Sequence, residues 1–425
     1  MSRFSTLPAL FTMPEHCGTL AAVRVLGEHG IEAWTAGATR TALASHSRYA
    51  KARYRCPPVE DAARFVAWLR AFGERHPGAV LYPTSDDTAW LQAAHAKELE
   101  RGFRLYAPPV DVIETLLDKR RLHEACDALG IATPRTYYPE SDADLRAVAA
   151  TGSFPVLLKL RTQVLSATHS KGVLVSTASE LGDRFRAFAL ANGAANGLQG
   201  RLLEGRRPMI QAYHPEGISE SYLVSGFIDR DGESVVMRAA RKVLQRPRTL
   251  GIALCLEPAP VDPVVATQLV ALCRRVGYFG VFQTEFLRVG GRYLLIDFNP
   301  RYYHYLAFDI ARGMPLPLLV HHAASGDAGA LARAVAEARD EGGRTMAFSY
   351  RLHLRELLVA QVVAGTMSMR DAAKWRAWYR DAQPNMVDAV SFPGDPLPAM
   401  IDAASLLAHR ARHPRSFLWQ IALDR

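Results

Sequence analysis

Apolar residues in the first hundred positions fall into two rhythms. Compact runs at Leu7–Thr12, Glu32–Thr35 and Ala79–Pro83 suit short buried strands, whereas His16–Gly30 and Pro58–Phe72 repeat their apolar residues every third or fourth position and suit helices. Gly30 closes the first of these helices, and Thr84-Ser85-Asp86-Asp87 supplies the polar residues that cap another running to Leu99. Strands and helices in alternation predict a parallel α/β layer, a small Rossmann-like unit over residues 1–109. It contains no GxGxxG, so no dinucleotide is assigned to it.

The rhythm changes at Val110. A helix to Leu117 is followed by a second that opens at Asp118-Lys119 and ends near Gly130 and Pro134. Phe154–Leu160 and Gly172–Val175 read as strands joined by a small polar loop, and Met209–Tyr213 as a further strand after a turn at 193–200. These elements define a helical linker and lid over 110–213, with 137–210 as the part that would close. Residues 214–325 hold several strands around one helix, Pro263–Val276, and form the expected catalytic unit. Residues 326–425 read as a helix-rich extension without a nameable motif. The class is α/β (α+β).

The most informative pattern is Val281–Val289, Gly290-Gly291 and Arg292–Arg301, a β-hairpin. A two-residue Gly-Gly turn would pair Glu285 with Ile296 and mix polar and apolar residues on both faces. A three-residue loop, Gly290 to Arg292, pairs Glu285 with Asp297, and the alternation favours it. Phe282, Phe286, Leu294, Ile296 and Phe298 then share an apolar face, while Glu285, Asp297 and Asn299 gather on the other with Gln283. Two adjacent carboxylates repel unless a cation lies between them, and a hard ion held by few carboxylates plus phosphate oxygens is how Mg²⁺ is bound.

Composition narrows the classes. A chain of 425 residues with 49% hydrophobic and 22% charged residues is that of a globular protein of several domains. No apolar run is long enough for a membrane span, and the N-terminus lacks the features of a signal peptide, so a cytoplasmic location is expected. Five scattered cysteines without a CxxC pair read as reduced thiols. The net charge of +9 comes from Lys and Arg spread over the chain without a nucleic-acid motif, which favours small anions over nucleic acid as partners.

Asp118-Lys119, the strand ending at Lys159, Ile210–Tyr213 and Glu285…Asp297-Phe298-Asn299-Pro300-Arg301 together resemble the ATP-grasp superfamily in order and spacing over roughly residues 80–320. Within it, the likeness is to carboxylate–amine ligases rather than to biotin carboxylases. The resemblance implies an ADP-forming ligase that uses ATP and Mg²⁺, with Mn²⁺ as an alternative, to turn a carboxylate into an acyl phosphate and join it to an amine. It implies phosphate contacts for Lys119 and Lys159, an adenine-facing hinge at Gln211, Ala212, Tyr213 and His214, and a ribose contact for Glu220 or Glu216. Glu285, Asp297 and Asn299 become metal ligands. Arg241, next to Lys242, reaches the transferring phosphate, and Arg301 holds the acyl phosphate. The partners implied are a small-molecule carboxylate and amine, with a homodimer left open.

The chain departs from the family pattern twice. The loop 161–171, which should fold over the phosphates, has no glycine before Gly172, and Tyr302-Tyr303-His304-Tyr305 stand where small residues are usual. A kinase- or carboxylase-like ATP-grasp protein, or a non-catalytic ATP-binding regulator, are the rival readings. The glycine-poor loop supports the regulator, and the complete Glu285, Asp297, Asn299 set opposes it.

Overall fold

The computed structural model describes residues 7–165, 172–192, 207–218, 221–246, 252–340, 346–363, 365 and 367–413. Most of the loop 161–171 and the turn at 193–200 lie outside them.

Three sheets organise the described residues. The first contains β1 (Ala9–Thr12), β2 (Ala33–Gly37), β3 (Ala50–Arg55), β4 (Ala79–Tyr82) and β5 (Phe103–Leu105), all parallel in the order β3-β2-β1-β4-β5. This is the expected α/β layer, with the helices Cys17–Glu28 and Ala62–Arg75 near their anticipated positions. Ser85 caps Asp86–Ala94 through a capping box with Thr88, and this helix ends at His95 instead of running unbroken to Leu99. Sequence periodicity does not reveal β3 and β5. Both are edge strands, and β3 turns Lys51, Arg53 and Arg55 to solvent, the usual guard of an exposed edge.

The second sheet is antiparallel, β6 (Thr136–Tyr137), β7 (Val156–Leu160), β8 (Val173–Val175) and β9 (Pro208–Ala212), in the order β6-β9-β7-β8. Its apolar face packs on the helices Asp142–Thr151 and Ala178–Asn192 through a separate core that includes Leu145, Val156, Leu158, Phe185 and Ile210.

The third sheet contains β10 (Ser221–Ile228), β11 (Val235–Arg246), β12 (Ile252–Ala259), β13 (Gly280–Val289), β14 (Arg292–Asn299), β15 (Ala347–Ser349) and β16 (Met386–Asp388), ordered β14-β13-β10-β11-β12-β15-β16. β15 and β16 come from the last hundred residues, so part of that segment is built into the sheet. A shared core joins Phe11, Leu20 and Tyr82 of the first unit to Tyr302, Leu306, Phe308 and Phe348.

The hairpin β13–β14 corrects one expectation. Val289 pairs with Arg292 across a two-residue Gly290-Gly291 turn, both glycines at positive φ (56° and 78°), the backbone a tight hairpin turn demands. A bulge after Glu285 absorbs the extra residue, so Glu285 still faces Asp297 and Gln283 faces Asn299. The bulge also changes which residue is buried: Leu295, not Ile296 or Leu294, packs with Phe282, Phe286 and Phe298, and Ile296 faces the cavity.

Candidate active site

A cavity of about 760 Å³ opens where the three sheets approach one another. Lys119, Lys159, Gln211, Ala212, Tyr213, His214, Glu285, Asp297, Asn299 and Arg301, ten of the residues expected from sequence, lie on its walls. Glu220 lies outside the described residues; a carboxylate oxygen of the nearby Glu216 lies 3.3 Å from His214 Nδ1.

Lys119 is positioned by a buried ion pair behind it. Asp118 caps the helix Lys119–Asp127 by accepting from the Arg120 and Arg121 amides at 2.8 and 3.2 Å, and its other oxygen takes Arg161 Nη2 at 2.8 Å. The Lys119 amide donates to the Arg161 carbonyl at 2.9 Å, so the helix start is fixed against the end of β7. Lys119 Nζ then meets Asp297 at 2.8 Å. Lys159, on β7, donates to the buried Gln211 on β9 at 3.0 Å.

The acidic set is held by cations from other elements. Asp297 is 41% exposed to the cavity, and although partial enclosure pushes its carboxyl up, Lys119, Lys159 and Arg301 bring it below the ordinary value. Glu285 is likewise pushed up by burial and pulled down further by Lys242, with which it makes a short ion pair, and by Ser221, 3.0 Å away. Asn299 donates to Gln283 at 2.8 Å and accepts from Arg301 Nη2 at 2.9 Å. Arg301 Nε donates to Asp86 at 3.0 Å.

Beside the lysines, His123 is held neutral. Burial, then the charges of Lys119 and Lys159, lower it to about 4, and its Nδ1 shares a 2.8 Å bond with Tyr138. Asp87 is raised to about 6 by burial, against the 2.6 Å bond it accepts from the Leu165 amide.

Arg241 is not brought to the site. It projects from the opposite face of β11, 62% exposed on its side chain, and pairs with Glu257 at 2.6 Å. In the register of the sheet, Glu285 lies beside Leu223, which lies beside Ala240, so Lys242, two residues on, shares the Glu285 face and Arg241 does not. Lys242 is therefore the basic residue of β11 at the cavity. Strand alternation contained this signal, but only the pairing of β10 with both neighbours assigns the face. Asp86, Tyr350 and His353 also line the cavity and carry no sequence motif.

Among the described residues no cluster of three His, Cys, Asp or Glu side chains stands ready to hold a metal by itself. Two carboxylates and an amide oxygen fit an ion that completes its shell with phosphate and water oxygens, as Mg²⁺ does.

No protein-family model and no curated protein matches the sequence. Solved structures do. The biotin carboxylase–β,γ-ATP complex from Campylobacter jejuni is 16% identical with a TM-score of 0.60, covering 76% of this chain and 72% of its own. The biotin carboxylase domain dimer of Hydrogenobacter thermophilus 2-oxoglutarate carboxylase, with MgADP and bicarbonate, is 18% identical with a TM-score of 0.59, covering 76% and 70%. The L-amino acid ligase from Bacillus licheniformis is 14% identical with a TM-score of 0.56, covering 75% and 74%. Among the described residues no helix is long and apolar enough to cross a membrane. Likeness at this level of identity speaks to architecture, and the architecture is the ATP-grasp fold.

Proposed function

We propose that this chain is an ATP-dependent, ADP-forming carboxylate–amine ligase working through an acyl phosphate. The observation that carries the reading is the meeting, around one cavity, of Glu285, Asp297 and Asn299 with Lys119, Lys159, Lys242 and Arg301 from separate elements. Lys119 and Lys159 bind the nucleotide phosphates, and Gln211 to His214 line the place of the adenine. Glu285, Asp297 and Asn299 would hold Mg²⁺, which would supply charge neutralisation at the phosphate oxygens. On ligand binding the lysines that pair with these carboxylates would be freed to meet phosphate oxygens.

Lys242 replaces Arg241 as the cation aimed at the transferring phosphoryl group. Arg301, whose fork matches carboxylate or phosphate oxygens, holds the carboxylate as its oxygen attacks the γ-phosphorus and ADP leaves, and then holds the acyl phosphate. The amine attacks the acyl carbon and phosphate leaves. The second sheet, with its separate core, is the unit that closes and keeps water from the acyl phosphate. A cytoplasmic location belongs to the same reading.

ADP release from MgATP with a pool of amino acids tests it, with Asp297→Asn as control. The wild type is expected to form ADP only when carboxylate and amine are both present, and the variant to lose at least about a hundredfold. A wild type that is silent and gains no thermal stability from MgATP refutes the assignment. Because biotin carboxylases match the fold as closely as the amino acid ligase does, a carboxylase-like chemistry is the second reading. ADP formation with bicarbonate and no amine would favour it.

A further inference from the structure

Beyond Arg301 the cavity changes character. His304 follows β14, and Tyr350 and His353 stand at the start of the helix Arg351–Val363. The three rings are partly open and form a continuous cluster of mutually tilted rings, with centroids 5.3 Å apart and planes at 40° for His304 and Tyr350, and 4.1 Å and 59° for Tyr350 and His353. Leu223 and Ala253 continue the wall as apolar surface.

The ring cluster is braced from behind. The Tyr350 hydroxyl donates to both oxygens of Asp402, at 3.0 and 3.1 Å. The neighbouring Tyr303 donates to Asp309 at 2.6 Å, and its backbone is pinned, since a Cβ on Gly18 would lie 2.4 Å from the Tyr303 carbonyl oxygen. With its hydroxyl tied back, what Tyr350 can offer a bound molecule is the ring.

We propose that this end receives a substrate carrying an aromatic ring, packed against the rings of His304, Tyr350 and His353. The inference rests on the ligase reading and deepens it by naming the substrate class. Aromatic pairs gain affinity beyond buried area through offset and edge-to-face geometry. A compact hydrophilic substrate such as bicarbonate would leave the rings facing water. Tyr350 and His353 thereby become specificity-determining residues, and the segment after residue 326 takes part in choosing the substrate.

The test is calorimetric titration with magnesium and a non-hydrolysable ATP analogue present, comparing L-tyrosine and L-phenylalanine with L-leucine, L-glutamate and bicarbonate. The aromatic amino acids are expected to bind about fivefold or more tightly than leucine. Tyr350→Leu should reduce that preference to within about twofold while analogue affinity stays put, and Tyr350→Phe, which keeps the ring and likewise loses the bond to Asp402, should retain it. Equal affinity for leucine and phenylalanine, a preference that survives both Tyr350→Leu and His353→Leu, or no binding of either aromatic amino acid with the analogue bound overturns the inference alone. Failure of the analogue itself to bind overturns the ligase reading and this inference with it.

Discussion

At the Lys119 end of the cavity each carboxylate is met by a lysine from a different element, Asp297 by Lys119 and Glu285 by Lys242, whereas at the Tyr350 end the tyrosine hydroxyl is tied back to Asp402 and the wall is made of rings. On the proposed function, the difference follows from what each end would exchange. Charged groups drawn partly out of water survive only as pairs, so a site for a polyanion and a metal keeps its own counter-ions until ligands arrive. A site for an uncharged ring needs no stand-in, only apolar surface held in place. The charged end should therefore fail abruptly when one partner is removed, and the ring end should change selectivity first.

The largest effect is expected from Asp118→Ala, which leaves the buried Arg161 without its carboxylate and uncaps the Lys119 helix. Loss of one partner of a buried pair costs about 3–5 kcal/mol, to be read as a lower denaturant midpoint. Next comes Lys242→Met, expected to lower ADP formation about a hundredfold while leaving the preference for ring-bearing substrates intact. If turnover survives, the cation acting on the phosphoryl group lies elsewhere.

His123 tests the charged end through pH. Its folded value of about 4 lies below the ordinary 6.5, so the folded state binds fewer protons than the unfolded chain between those limits. The stability this provides is present above 6.5 and is lost as pH falls toward 4, with a slope of about 1.4 kcal/mol per pH unit. Subtracting the unfolding curve of His123→Gln from that of the wild type should isolate the slope; parallel curves would mean that the imidazole is not held neutral. The smallest effect belongs to Arg241→Ala. An exposed ion pair contributes about 0–1 kcal/mol, and ADP formation should stay within about twofold of wild type. Set beside Lys242→Met, it asks whether one strand separates surface from site by alternation alone.

Much of the site was legible because its chemistry is local. Lys119 follows a capping Asp, Lys159 ends an apolar strand, and Glu285, Asp297 and Asn299 alternate with phenylalanines on one hairpin. The same hairpin shows the limit of pattern: the facing of Glu285 and Asp297 was readable, but the device behind it was a bulge rather than a longer turn, and local alternation cannot distinguish the two. The edge strands β3 and β5 were silent because charged or very short edges lack the apolar run that marks a buried strand.

The chain's own order of residues determined the α/β class, the hairpin and the residue types of the acidic and basic set, since each depends on periodicity or on neighbours within a few positions. Tertiary structure alone decided that Lys242 and not Arg241 reaches the cavity, because a strand's face is assigned by its register with β10 and, through it, β13. It alone brought Tyr350 and His353, from the far end of the chain, beside His304. Contacts between segments so distant are set by the packing of whole sheets, and no local pattern encodes them.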